Sequence, residues 1–137
     1  MNENIYLPHI MVIDKITVEA PGVKTFRLKF QNEEEAKAFQ FRAGNFAEYS
    51  AFGEGECTFC IASAPTRKEY VECTFRHAGR VTSGLDRLEE GQTMGFRGPF
   101  GNSFPIAEWK GKNILFVAGG IALPPMRCVF ANVLDLR

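Results

Sequence analysis

Between His9 and Gly101, glycine and proline interrupt the chain so often that only short elements fit, and this punctuation constrains the fold most. What lies between the breaks is strand-like. His9 to Glu19 is rich in Ile and Val and ends at the turn Pro21-Gly22. Thr25 to Phe30 alternates strictly, which puts Phe26, Leu28 and Phe30 on one face. Ala43-Gly44 precedes a strand from Phe46 to Phe52, and Gly53 and Gly55 form the next turn. Cys57 to Ser63 and Tyr70 to Arg76 are two more strands, joined around Pro65. Gln92 to Arg97 is another, ended by Gly98-Pro99-Phe100-Gly101. Short strands so closely spaced predict a small antiparallel barrel or sandwich.

Two helices interrupt this pattern. Asn32 followed by Glu33, Glu34 and Glu35 reads as an N-cap with a capping box, with Ala36 and Phe39 facing inward. Val81, Leu85 and Leu88 fall at i, i+4 and i+7, which predicts a helix from Val81 to Glu90. Thr82 or Ser83 can cap its start, and Gly91 sits where a C′ residue belongs.

The character then changes. Asn113 to Ala118 is a continuous apolar run, as expected of a strand buried on both faces. Gly119-Gly120 turns the chain, and Met126, Phe130, Val133 and Leu134 suit a helix to about Leu136. Pro124 and Pro125 fit its first turn, where a missing N–H costs nothing. Strand, glycine turn and helix open a parallel α/β sheet, whose next strand should follow, yet the chain stops at Arg137. The expected organisation is a barrel over residues 1–108 and the first βα unit of a truncated domain over 109–137.

Composition narrows the function. The chain has 137 residues, 45% of them apolar and 23% charged, an ordinary globular balance for one domain per roughly 150 residues. Sixteen basic and sixteen acidic residues cancel, which argues against a nucleic-acid or anionic-membrane binder. No apolar run approaches the roughly 20 residues of a membrane helix. The start, Met1 to Asn4, lacks the basic and apolar regions of a secretory signal. Cys57, Cys60, Cys73 and Cys128 are therefore expected as reduced thiols in the cytoplasm.

Three stretches invite chemistry. In Arg76-His77-Ala78-Gly79-Arg80-Val81-Thr82-Ser83, a glycine and basic residues lead into a hydroxyl-rich helix start. Helix N-termini offer free N–H groups to phosphates, and Arg76 or Arg80 can add charge. An ordinary N-cap beside solvated arginines fits the same residues, and His77 fits a surface loop better than a general base. Cys57-Thr58-Phe59-Cys60 has C-x-x-C spacing, but strand residues three apart face opposite ways, and no second ligand pair accompanies it. No metal site is expected. Cys73 and Cys128 read as small buried hydrophobes. Val117-Ala118-Gly119-Gly120-Ile121-Ala122 lies at a strand-to-helix turn, where dinucleotide pyrophosphates dock, although a Gly-Gly pair also simply makes a turn.

Taken in order, Phe41-Arg42-Ala43-Gly44-Asn45-Phe46, Cys60-Ile61-Ala62-Ser63-Ala64-Pro65, Gly79-Arg80-Val81-Thr82-Ser83, Arg97-Gly98-Pro99-Phe100-Gly101 and Val117-Ala118-Gly119-Gly120-Ile121 resemble the ferredoxin–NADP reductase superfamily. The resemblance runs from about Pro8 to the end. It is nearest to electron-transfer subunits of anaerobic enzymes: the sulfhydrogenase gamma subunit, the anaerobic sulfite reductase B subunit and the dihydroorotate dehydrogenase electron-transfer subunit. It implies a six-stranded antiparallel Greek-key barrel that binds FAD rather than FMN, followed by an α/β domain for NAD(P)H. It further implies hydride transfer from the nicotinamide to the flavin, single electrons passed on to an iron–sulfur protein or subunit, and assembly with that partner or with further copies.

The family's flavin motif is arginine, any residue, an aromatic, then serine or threonine, and it aligns with Cys57 to Cys60. Phe59 supplies the ring expected to stack on the isoalloxazine. Cys60 stands where the family has the catalytic hydroxyl near flavin N5, and Cys57 stands where it has a phosphate-pairing arginine. The resemblance also assigns Ile61, Ala62, Gly79, Val81, Thr82 and Ser83 to the cofactor, with Arg76 or Arg80 as the substitute for the missing arginine. It assigns Gly119, Gly120, Ala122 and Pro125 to the nicotinamide nucleotide, with Ala122 in place of a third glycine and Pro124 as an extra proline. With one βα unit, this chain is not expected to hold NAD(P)H by itself. The rival reading is a barrel without cofactor that docks on a partner subunit. A single-strand nucleic-acid barrel would need a basic groove with aromatics, which zero net charge disfavours.

Overall fold

The computed structural model describes residues 4–137. Strand β1 (His9–Ala20) turns at Gly22 into β2 (Val23–Phe30), and Gly22 takes the left-handed φ of 73° that favours glycine. Helix α1 (Glu33–Ala38) follows, its N-cap Asn32 accepting the Glu34 N–H at 2.8 Å. Next come β3 (Phe46–Ala51), β4 (Gly55–Cys60), β5 (Val71–Arg76), α2 (Arg80–Asp86) and β6 (Thr93–Phe100). A 3-10 turn at Ile106–Trp109 and helix α3 (Leu123–Asp135) end the chain.

The strands form one antiparallel sheet in the order β4-β3-β6-β1-β2-β5. Long connections set β5 beside β2 and β6 beside β3, which makes a Greek key instead of a meander. The two outer strands come round to each other at one end. Ile61 bridges Cys73, and the Ala62 N–H donates to the Glu72 carbonyl at 2.7 Å. The sheet is therefore a barrel. Alternation fills it as expected, with Phe26, Leu28, Tyr49, Phe75 and Phe96 fully buried.

The structure corrects four expectations. Asn113 to Ala118 forms no strand: it is extended, with Leu115 88% and Val117 81% exposed. A strand is made by its ladder, and no described strand lies beside this run to pair with it. Helix α2 ends at Asp86, not Glu90, because the residues after it are drawn into pairing with β1. The Gly91 N–H donates to Ile13 O at 2.8 Å, and the Ile13 N–H to Gln92 O at 2.9 Å. Its cap also differs. Gly79 is the N-cap, and the Thr82 hydroxyl sits at N3, accepting the Ala78 and Gly79 N–H groups at 2.9 and 2.8 Å. Strand β6, for its part, continues through Gly98-Pro99 to Phe100. The β3–β6 register shifts between Phe46 and Glu48, and such a bulge tolerates a residue without an N–H.

Helix α3 lies against the barrel in a second, smaller cluster. Cys128 and Val129 are fully buried there with Ala43, and Phe41, Trp109 and Phe116 pack around them.

Candidate functional site

Beyond the Ile61–Cys73 bridge, β4 and β5 separate and share no ladder among the described residues. Their facing edges leave a slot, and the slot is a cleft of about 320 Å³. Thr58, Phe59 and Cys60 of β4 form one wall, and Thr74 and Arg76 of β5 form the other. Ala78 and Thr82 close the end at α2, and Ile121, Pro124 and Pro125 close the side at α3.

Phe59 is half-buried. Its inner edge meets Tyr49 and Phe75, at centroid distances of 5.7 and 5.9 Å, and what remains faces the cleft. Cys60 is also half-buried, and burial pushes its thiol pKa up, so it stays protonated at neutral pH and can donate. The hydroxyl of Tyr49 behind this wall is buried without a hydrogen-bond partner. Burial, then the neighbouring thiols of Cys73 and Cys60, raise its pKa well above the ordinary value.

The α2 end is preorganised. Thr82 ties down Ala78 and Gly79, and Ser83 Oγ lies 2.7 Å from both Gly79 O and His77 Nε2. The Ser83 N–H donates to Gly79 O at 2.8 Å. The amides of Arg80, Val81 and Thr82 precede it, where a helix offers no carbonyl partner. Arg76 makes no side-chain hydrogen bond or ion pair among the described residues. Arg80 is turned away: its Nε donates to Glu54 Oε2 at 2.9 Å, and Arg87 donates to the other oxygen at 2.7 Å. The Arg80 hydrogen bond leads in holding the Glu54 carboxyl below its usual range.

The residues named from sequence divide accordingly. Phe59, Cys60, Arg76, Thr82 and Pro125 line the cleft. Ile61 and Ala62 are buried and close the seam beneath it. Val81 packs on Gly55, and Gly79 and Ser83 shape the loop at the cleft's end. Gly119, Gly120 and Ala122 belong to the turn entering α3, and Gly120 borders a smaller adjoining cleft of about 190 Å³. Thr58, Thr74, Ala78, Ile121 and Pro124 line the cleft without being assigned to it from sequence. For Thr74 the signal existed, since it is the outward position between Cys73 and Phe75. No helix among the described residues is long and apolar enough to cross a membrane.

The chain is 38% identical over 136 residues to the sulfhydrogenase 1 gamma subunit of Pyrococcus furiosus, covering 99% of this chain and 47% of the relative. It is 30% identical over 124 residues to a probable dihydroorotate dehydrogenase B electron transfer subunit of Methanothermobacter thermautotrophicus, covering 90% of this chain and 43% of the relative. The chain thus spans about half, or less, of these relatives' length. Among solved structures, ferredoxin–NADP+ reductase of Plasmodium falciparum superposes with a TM-score of 0.79 at 14% identity, covering 98% of this chain and 55% of that one. An Amycolatopsis cytochrome P450 reductase superposes with a TM-score of 0.78 at 21% identity, covering 93% and 39%. These likenesses speak for the fold alone. Residues 10–104 match the family model of the oxidoreductase FAD-binding domain, and with that match across the whole barrel the chain belongs to this family.

Proposed function

We propose that the chain holds FAD in the slot between β4 and β5 and serves electron transfer between NAD(P)H and an iron–sulfur protein or subunit. One observation carries this reading: the barrel seam opens at the one place where a half-exposed aromatic, Phe59, and the start of α2 face a common cleft. A cleft of about 320 Å³ suits a planar ring system, with the nucleotide tail left to the surface beyond α2.

The chain's own groups have distinct tasks. Phe59 offers an apolar wall for the isoalloxazine. Cys60 presents a protonated thiol at the position that takes a hydroxyl in the family. Arg76 is the uncommitted guanidinium at the cleft and takes the diphosphate charge in place of the family arginine, which is Cys57 here. The α2 amides add hydrogen-bond donors, while Thr82 fixes the loop that carries them. Arg80 would have to leave Glu54 to contribute. FAD, when bound, accepts electrons in a pair and releases them singly.

The turn Gly119-Gly120-Ile121-Ala122 with Pro125 is proposed as the start of the pyridine-nucleotide site, with the barrel over 1–108 and the nucleotide unit beginning at 109. The proposed setting is the cytoplasm, in assembly with the electron acceptor. The sulfhydrogenase and dihydroorotate dehydrogenase relatives are subunits by name, which supports the assembly.

The test is reconstitution. Purified protein incubated with FAD should retain it through gel filtration and show a structured flavin absorbance. Phe59→Ala should weaken binding by about tenfold, the loss of an aromatic stack with its buried area. A folded protein that retains no flavin would reject the reading and leave the cofactor-free docking module in its place.

A further inference from the structure

Glu72, the second residue of β5, is fixed at the closed end of the seam. Its N–H donates to Ser63 Oγ at 3.0 Å, and its carbonyl accepts from Ala62 at 2.7 Å. Its carboxylate is nearly buried, the whole residue being 9% exposed. A buried carboxylate needs a partner, and the cross-strand neighbour Arg27 supplies one, with Nε 3.1 Å from Oε1. Arg27 is itself steadied over the Tyr70 ring at 4.2 Å. The second partner comes from outside the barrel: Arg127 of α3 donates to Oε2 at 2.5 Å.

That second bond reaches the wall of the cleft. Arg127 lies one helical turn beyond Pro124, which lines both the main cleft and the smaller one that Arg127 itself borders. The first turn of α3 is otherwise weakly held. It has no side-chain cap, its first helical bond, Met126 N–H to Ala122 O, is 3.5 Å long, and Leu123 is exposed. At the far end of the helix Asp135 accepts from Arg67 Nε at 3.1 Å, Arg67 Nη2 at 3.3 Å and the Thr66 hydroxyl at 2.5 Å, which ties down the last turn and leaves the first to Arg127.

We propose that Glu72 is a positioning residue for the cofactor. Through Arg127 it sets how closely Pro124 and Pro125 stand against Phe59 and Cys60, and so fixes the width of the slot for the flavin ring. This rests on the flavin reading above. The experiment compares Arg127→Met with Arg27→Met in the full chain reconstituted with FAD. Each variant leaves Glu72 one guanidinium, so both should fold. Bound flavin is probed by its dissociation constant, iodide quenching of its fluorescence and its visible-region circular dichroism.

Arg127→Met should weaken FAD binding by about tenfold, expose the flavin to iodide and change its dichroism, while Arg27→Met leaves all three near wild type. Equal changes in the two variants, or none in either, would overturn the proposal while the flavin reading stands. Wild-type protein that takes up no FAD would instead remove the flavin reading. Even then amide exchange reads the tie directly: exchange over Leu123–Asp135 should rise in Arg127→Met but not in Arg27→Met, and failure of that difference also overturns it.

Discussion

Two apolar stretches of this chain meet opposite fates. Thr25 to Phe30 in β2 has neighbours on both sides, β1 and β5, and Phe26 and Leu28 are completely buried. Ile114 to Val117 is apolar without interruption, yet has no ladder among the described residues and lies largely in solvent. Hydrophobicity thus selects what a segment would bury, but a strand exists only where a second backbone answers its N–H and C=O groups. The barrel supplies those answers within itself; residues 112–119 do not receive them here.

The largest test of that contrast is a pair of truncations. Phe26→Ala should cost about 3–5 kcal/mol in urea unfolding, the range for emptying a buried aromatic site, while Leu115→Ala should stay within about 0.5 kcal/mol. A comparable loss at both positions would mean that the apolar run is covered in solution.

A second test concerns where α3 meets the barrel. Cys128 is fully buried, and burial pushes its thiol up to about 11 from the usual 9. Its pKa is higher in the folded state, so the folded chain holds the proton more tightly. Stability from that source is complete below about pH 9 and is lost as pH rises through about 11. The advantage of wild type over Cys128→Ala should therefore shrink by on the order of 2 kcal/mol across that window. A pH-independent difference would place the thiol in water and α3 off the barrel.

The smallest effect belongs to the barrel interior. Tyr49 buries a hydroxyl without a partner, so Tyr49→Phe should leave stability unchanged or raise it by about 1 kcal/mol, measured as the urea midpoint. A clear loss would reveal a bond to the hydroxyl in solution.

The barrel was largely legible in the sequence because its signals are local. Phe26, Leu28 and Phe30 alternate, and Gly22 turns where a glycine is needed. The end of α2 was not legible, since Gly91 and Gln92 pair with Ile13, almost eighty positions away. Arg80 illustrates the same limit at the site: it stands where a phosphate ligand would, but Glu54, distant in sequence, holds it. Phe59, Cys60 and Thr82 are legible because they belong to one ordered motif set, and Arg76 because its charge lies just before the start of α2. Thr74 and Ile121 reach the cleft, and Glu72 reaches Arg127, only through the way the two outer strands and α3 come together, which no stretch of sequence announces.

The parted seam also determines what a guest must disturb. Between the diverging edges of β4 and β5 there are no ladder bonds to break, so a flat molecule can enter sideways, like a card into a slot. β3 and β2, each bonded on both flanks, keep their register. The Ile61–Cys73 bridge acts as the hinge-end of that slot: deepening it by one residue would cost main-chain bonds, whereas widening it costs only side-chain contact.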